Sequence, residues 1–338
     1  MPLPHSLLEA SALVDTALRA SLEGRGEMLY RMLEYHLGWR NSQGEPLPQS
    51  PLYPYGALCV LAGKGLGVSQ LAQASLGAAV ELLAHYHQVH REIQDGTPGP
   101  QERPALWWVW GPAQAINAGD AFHAVARLVL MGLEGQGVGA SLVLEALRLL
   151  DKAALEVCEG RFHDLQLQER LEVTVAQCQR IAQAQSGALL GCALALPALL
   201  KGLSPDDQAL CQQAGRLLGL GIHYWHDLRR WRALPPEGVS GAMLNKSKTL
   251  PLALALQRGG PKEKRELGTF YVKRVLEPAD LSALASVLER LGALQEAEGM
   301  AQKALDEGLA LWRRVAGQEA EASLRPAINY LVGEAPVS

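Results

Sequence analysis

Residues Val80–Ala126 read VELLAHYHQVHREIQDGTPGPQERPALWWVWGPAQAINAGDAFHAVA. Apolar residues recur at helical spacing on both sides of a Gly- and Pro-rich break, Asp95–Pro104. The pattern predicts a helix over Val68–Glu92 and another over Ala113–Met131. Towards the N-terminus, Leu7, Leu8, Leu13 and Leu18 mark one amphipathic helix, and Met28, Met32, Leu33 and Leu37 mark the next. Towards the C-terminus, helices are expected at Gly139–Glu159, Gln166–Leu200 and Pro205–Arg232, with a last group from Leu281 to the end. Further breaks are read at Gly44–Pro54, Gly132–Gly137 and Pro235–Gly241. Alternating strand patterns are almost absent. Several of the helices are nearly apolar all round, as the central helices of a large bundle must be. The expectation is an all-α fold with residues 1–338 in a single domain.

The composition is that of an ordinary globular chain, with 48% hydrophobic and 20% charged residues among 338. A formal charge of -4 without basic blocks argues against a nucleic-acid partner. The N-terminus MPLPHSLLEAS lacks the basic and apolar regions of a signal peptide. The most apolar stretch, Gly187–Leu200, reads as too short to span a bilayer and contains a Pro. Cys59, Cys158, Cys178, Cys192 and Cys211 are odd in number and form no CxxC pair, so reduced thiols in a cytoplasmic protein are expected.

The run AQAINAGDA, Ala113–Ala121, is long and specific. With its surroundings it resembles the trans-isoprenyl diphosphate synthase (polyprenyl synthetase) family, in which the segment reads roughly VELLHxxSLIHDDIQDxxxxRRGRPTxWxxWGxAQAINAGDAxxxxA. Further resemblance lies at Cys158–Leu165 (CEGRFHDL), Ser186–Leu189 (SGAL), Leu218–Trp231 and Asn245–Ala255 (NKSKTLPLALA). The order and spacing hold along nearly the whole chain. The resemblance implies an isoprenoid synthase-type helical bundle around a central cavity, commonly dimeric. It also implies a chemistry in which an allylic diphosphate ionises and the cation attacks isopentenyl diphosphate. Two Asp-rich motifs on facing helices then hold magnesium, a hard cation that prefers oxygen ligands.

Those motifs are degenerate here. The first reads Arg91, Glu92, Ile93, Gln94, Asp95, with Arg at the leading Asp position. The second reads His226, Asp227, Leu228, Arg229, Arg230, with His and Arg at its first and last Asp positions. An Arg repels a divalent cation and cannot shed its proton to relieve this. The family's GKRxRP segment corresponds to Pro51–Gly56, so its Lys and both Arg become Leu52, Tyr53 and Tyr55. The His of ELLH aligns with Ala84, the Arg pair after the first motif with Pro100 and Gln101, and the Lys of KTG with Gln185. Of the basic phosphate contacts only Lys248, with Lys246 nearby, remains. Each charge-assisted phosphate contact contributes roughly 1.5–3 kcal/mol. Their concerted loss predicts negligible affinity for isopentenyl diphosphate and no magnesium cofactor. Trp107, Trp108 and Trp110 are read as packing residues.

Three readings follow. The leading one is a family member silent for chain elongation: a homodimer, or a heterodimer with an active prenyl synthase, or a binder of a small isoprenoid. A second is a divergent prenyl diphosphate-using enzyme in which Arg91, Arg229 and Arg230 grip diphosphate without metal; against it stands the expectation that these arginines pair with Glu92, Asp95 and Asp227. A third is a transition-metal site from His87, His223 and His226 with Glu92 or Asp227. By the resemblance, Tyr86 and His87 precede the first motif where bulk limits product length, so a short cavity lined by Tyr86, His87, Gln185 and His223 is expected.

Overall fold

The structure, a computed structural model, describes residues 2–48, 51–100, 103–170, 172–232, 241–273 and 275–333. In chain order the helices are α1 (His5–Leu22), α2 (Met28–His36), α3 (Pro54–Gly65), α4 (Gln70–Asp95), α5 (Leu106–Trp110), α6 (Pro112–Met131), α7 (Ala140–Gln168), α8 (Val175–Ala182), α9 (Ala188–Leu200), α10 (Pro205–Arg232), α11 (Gly241–Leu244), α12 (Leu250–Arg258), α13 (Pro261–Tyr271), α14 (Pro278–Arg290), α15 (Ala293–Ala316) and α16 (Gln318–Gly333). Among the described residues no strand forms; Arg40 and Pro46 make one isolated bridge. The fold is all-α, as the periodicity requires.

Local chemistry sets the ends of the helices that matter most. Ser69 caps α4, its hydroxyl accepting from the Ala72 amide, and Gly96 closes it at φ 61°. At α10 the Ser204 hydroxyl accepts from the Asp207 amide at 3.1 Å. Asp206 and Asp207 occupy the first turn of α10 and Arg229, Arg230 and Arg232 the last, complementing the helix dipole.

The helix expected over Gln166–Leu200 is in fact two. Gln166–Gln168 finish α7, and a new helix starts after Thr174, whose side chain forms a capping box with Gln177. From Val175 the helix runs unbroken to Leu200, through a π-turn at Gln183–Gly187. The apolar stretch is therefore longer than Gly187–Leu200. At 26 residues it is long and apolar enough to cross a membrane, but 83% of its apolar window is buried against the rest of the chain. It is a core helix. The expected break at Pro235–Gly241 lies, up to residue 240, outside the described residues, as does Gln101.

Helix α10 packs along α9 and α15, and α4 packs on α3 and α6. Two apolar clusters result. One joins α1, α3, α4, α6 and α9; the other joins α8, α12 and α14. Both α10 and α15 run through the pair, with Leu218 and Leu305 in the first and Tyr224 and Ala301 in the second. Glycine makes the α9–α10 approach feasible: a Cβ on Gly215 would stand 2.1 Å from the Leu190 carbonyl oxygen, and one on Gly219 2.2 Å from that of Ser186. This contact presses the π-turn against the C-terminal half of α10 and sets Gln185 and Ser186 beside the second motif.

Candidate functional site

The C-terminal turns of α4 and α10 converge on a small cavity of about 80 Å³. Arg91 and Asp95 line it from α4, and His223, His226, Asp227 and Arg230 from α10. Helix α7 adds Arg161 and Asp164, the π-turn adds Gln185 and Ser186, and the segment after α11 adds Lys248. The two degenerate motifs therefore face each other.

Their carboxylates are already engaged. Buried Arg161 donates from Nη2 to Asp95 Oδ1, from Nη1 to Asp164 Oδ2 at 2.6 Å and from Nε to Gln94 Oε1 at 2.8 Å. Arg91 Nε lies 4.0 Å from the other Asp95 oxygen. Asp227 accepts from the Leu250 amide at 3.2 Å and sits 3.8 Å from Arg230 Nη1. Burial pushes the Asp227 carboxyl up to about 6 against the opposing pull of Arg230. Burial likewise holds the imidazoles neutral: His223 and His226 are pushed down to about 3, with Arg230 the next cause, and His87 well below its usual value, with Arg91 next. Ser186 Oγ and His223 Nδ1 share a hydrogen bond of 2.9 Å.

Magnesium does not fit this donor set. Arg occupies one expected ligand position in each motif, Asp95 is tied to Arg161, and Asp227 is tied to a backbone amide and Arg230. A hard, octahedral cation needs several free oxygens, and these carboxylates offer few. The transition-metal expectation also fails on geometry: among the described residues no three His, Cys, Asp or Glu side chains come together to hold a metal ion. His87, His223 and His226 share the cavity wall without forming a ligand group.

Several expected site residues lie elsewhere. Glu92 lines neither this cavity nor the larger one beside it; Gln88 Nε2 donates to it at 2.9 Å. Arg229, half-buried, also lines neither. Lys246 Nζ turns away to the Tyr271 carbonyl at 3.1 Å. Tyr86 points towards α6 and α7, its hydroxyl 3.1 Å from Cys158 Sγ and its ring 5.3 Å from that of His123, and lines neither this cavity nor the larger one. Lys248 stays at the site. It is buried, donates to the Lys246 carbonyl at 3.2 Å and stands 4.0 Å over the Tyr271 ring, and burial lowers its ammonium to about 8. Of the three tryptophans, Trp107 donates to the Thr97 carbonyl and Trp110 packs edge-on to Tyr35, but Trp108 is exposed.

Next to the small cavity, and sharing Tyr55, His87, Arg91, Leu189 and His226 with it, lies a larger one of about 370 Å³. Leu52, Tyr55 and Ala84 line it, the positions that carry Lys, Arg and His in the motifs named above. Its remaining wall mixes aliphatic residues with His87, Gln88, Arg91, Arg103 and His226, and it has a further polar end at His36, Glu81 and His85. Sequence reasoning missed that end and missed Arg161 and Asp164. For Glu81 and His85 the helical i,i+4 spacing was the available signal; Arg161 carried none beyond its place in CEGRFHDL.

Comparison with known proteins agrees with the architecture. Residues 56–288 match the family profile described as polyprenyl synthetase. A geranylgeranyl diphosphate synthase of Mycobacterium tuberculosis is 33% identical over 315 residues, covering 90% of this chain and 86% of the relative. A (2E,6E)-farnesyl diphosphate synthase of Mycobacterium bovis is 26% identical over 334 residues, covering 96% and 91%. Among solved structures, a polyprenyl synthetase from Streptomyces coelicolor superposes with a TM-score of 0.84 at 24% identity, over 96% of this chain and 98% of that one. A polyprenyl synthase from Caulobacter crescentus, complexed with calcium and isoprenyl diphosphate, superposes at 0.82 with 20% identity, over 97% of each chain. This chain belongs to the polyprenyl synthetase family of trans-isoprenyl diphosphate synthases.

Proposed function

We propose that this chain is silent for isoprenoid chain elongation and acts as a non-catalytic subunit or isoprenoid-binding member of its family. One observation carries the reading: Asp95 and Asp227, the motif carboxylates that reach the cavity, are held by Arg161, Arg91, Arg230 and the Leu250 amide, at the place where metal and diphosphate would have to sit. Loss of the phosphate contacts at Leu52, Tyr55, Ala84 and Gln185 points the same way, since each missing charged contact removes roughly 1.5–3 kcal/mol. Exposed Ile116 and Met131 on α6, with Leu144, Leu155 and Phe162 on α7, support a subunit that pairs with a second copy or with an active prenyl synthase. The test is incubation of the purified chain with geranyl or farnesyl diphosphate, isopentenyl diphosphate and magnesium. The reading predicts no longer product; turnover at the rates usual for enzymes, about 1–1000 per second, would overturn it.

A second reading has its own support. Arg230 Nε and Gln185 Nε2 are buried donors without a hydrogen-bond partner among the described residues, and both residues line the small cavity. Such donors suit an anion, and a diphosphate gripped by them would need no metal. Diphosphate that protects the chain from thermal unfolding in the presence of a chelator would favour this reading; identical melting with and without diphosphate would end it.

A further inference from the structure

We propose that the larger cavity binds an uncharged, mainly apolar molecule carrying one hydroxyl group, of the prenyl-alcohol class, with that hydroxyl seated between Glu81 and His85. The inference rests on the proposed silence for chain elongation and goes on to name the class of guest.

The cavity's volume, about 370 Å³, lies within the usual range for small-molecule sites. Leu58, Leu189, Leu190, Ile222 and Leu331 supply an aliphatic wall that suits a branched hydrocarbon chain. The polar end is built differently from a phosphate site. Glu81 is buried on α4, and its Oε2 accepts from the Gly56 amide at 2.6 Å. His85, one turn further along α4, brings Nε2 to 3.7 Å from Glu81 Oε1, beyond direct hydrogen-bond reach. His36 of α2 packs edge-on to His85 with ring centroids 5.0 Å apart, and Phe122 of α6 stacks on His85 at 5.5 Å. Both ring nitrogens of His85, and Nε2 of His36, lack a hydrogen-bond partner among the described residues. Native proteins seldom leave such groups unpaired, so the polar end is incomplete as it stands.

The charge state selects the guest. Burial raises the Glu81 carboxyl to about 8, and burial lowers both imidazoles, His85 to about 3 and His36 well below its usual value. At neutral pH the end therefore presents a protonated carboxyl and two neutral imidazoles, which offer donors and acceptors but no fixed charge. A hydroxyl satisfies them, donating to one imidazole nitrogen and accepting from the carboxyl. A diphosphate would have to give up the hydration of several negative charges at a buried end whose own groups are neutral. Arg103 is the cation nearest this end, its charge bearing on both His36 and His85, but its side chain is exposed and screened by solvent; Arg91 stands beside Asp95.

The test is a calorimetric titration of the full chain, without added metal, with farnesol, farnesyl diphosphate and the parent hydrocarbon farnesene. Farnesol is expected to bind at least tenfold more tightly than either of the others. The substitution His85→Phe is expected to weaken farnesol at least tenfold and to leave farnesene unchanged. Diphosphate binding as tight as farnesol, farnesene binding as tight as farnesol, or no binding of farnesol would each overturn the proposal. Should the variant not fold, the three-ligand series on the natural chain decides alone. Absent farnesol binding together with absent turnover would sink this inference and leave the silent reading standing; turnover of the diphosphate would sink the silent reading itself.

Discussion

Arg161 of α7 and Asp95 of α4 form a buried ion pair, their side chains 6% and 4% exposed, at the centre of what the family uses as a metal site. Arg161 also holds Asp164 and Gln94, so three acceptors on two helices depend on one guanidinium. Removing a buried cation leaves its carboxylates uncompensated, which typically costs about 3–5 kcal/mol. Arg161→Ala should therefore lower the free energy of unfolding in urea by about that amount. A loss below about 1 kcal/mol would mean that the pair is more solvated than its burial indicates.

Stability should peak near pH 6.5. His85, His223 and His226 have folded values near 3, so between about 3 and 6.5 the unfolded chain binds protons that the native one does not. Stability therefore falls as pH drops through that window, by up to about 1.4 kcal/mol per pH unit for each imidazole. Glu81 and Asp227 act in the opposite sense, because the native state keeps their protons up to about 8 and about 6. The imidazoles prevail by number. Above pH 6.5 Glu81 dominates, and its ionisation should remove about 2 kcal/mol by pH 8. Glu81→Gln keeps an acceptor for the Gly56 amide and cannot ionise. The variant should match the natural chain near pH 4, where Glu81 is protonated folded or unfolded, and exceed it in stability by a margin that grows up to pH 8.5; parallel pH profiles would refute the assignment.

Gly219→Ala should destabilise the α9–α10 contact. Its new methyl group would meet the Ser186 carbonyl oxygen at 2.2 Å, and backbone cannot step aside as a flexible side chain can. Overpacking of this kind costs about 1–3 kcal/mol. A melting temperature equal to that of the natural chain would show that the helices tolerate separation.

Because α10 and α15 thread both apolar clusters, we propose that the chain unfolds as one unit. Circular dichroism and tryptophan fluorescence should trace the same urea transition. Two transitions would place a boundary between the clusters.

Most of the fold was legible because helical periodicity is a local property. Predicted and observed limits of α4, α6 and α10 agree within three residues at every end. The α7–α8 break was missed because its loop, Glu169–Thr174, contains neither Gly nor Pro; the Thr174–Gln177 capping box was the readable sign. The site was harder. Motif alignment names positions, but one step along a helix turns a side chain by about 100°, so Glu92 and Arg229 fall off the cavity that Arg91 and Arg230 line. Arg161 meets Asp95 across 66 residues of sequence, a relation that no local pattern encodes. The neutral end at Glu81, His85 and His36 depends on burial, which sequence spacing does not report.

The central claim is tested most directly by single-turnover assay of the purified chain with radiolabelled isopentenyl diphosphate, farnesyl diphosphate and excess magnesium. The account predicts no transfer of label into a longer prenyl product, even at enzyme concentrations above substrate. Conversion of the label to geranylgeranyl diphosphate within seconds would contradict it, and would mean that Arg91, His226 and Arg230 do not prevent the chemistry their positions once served.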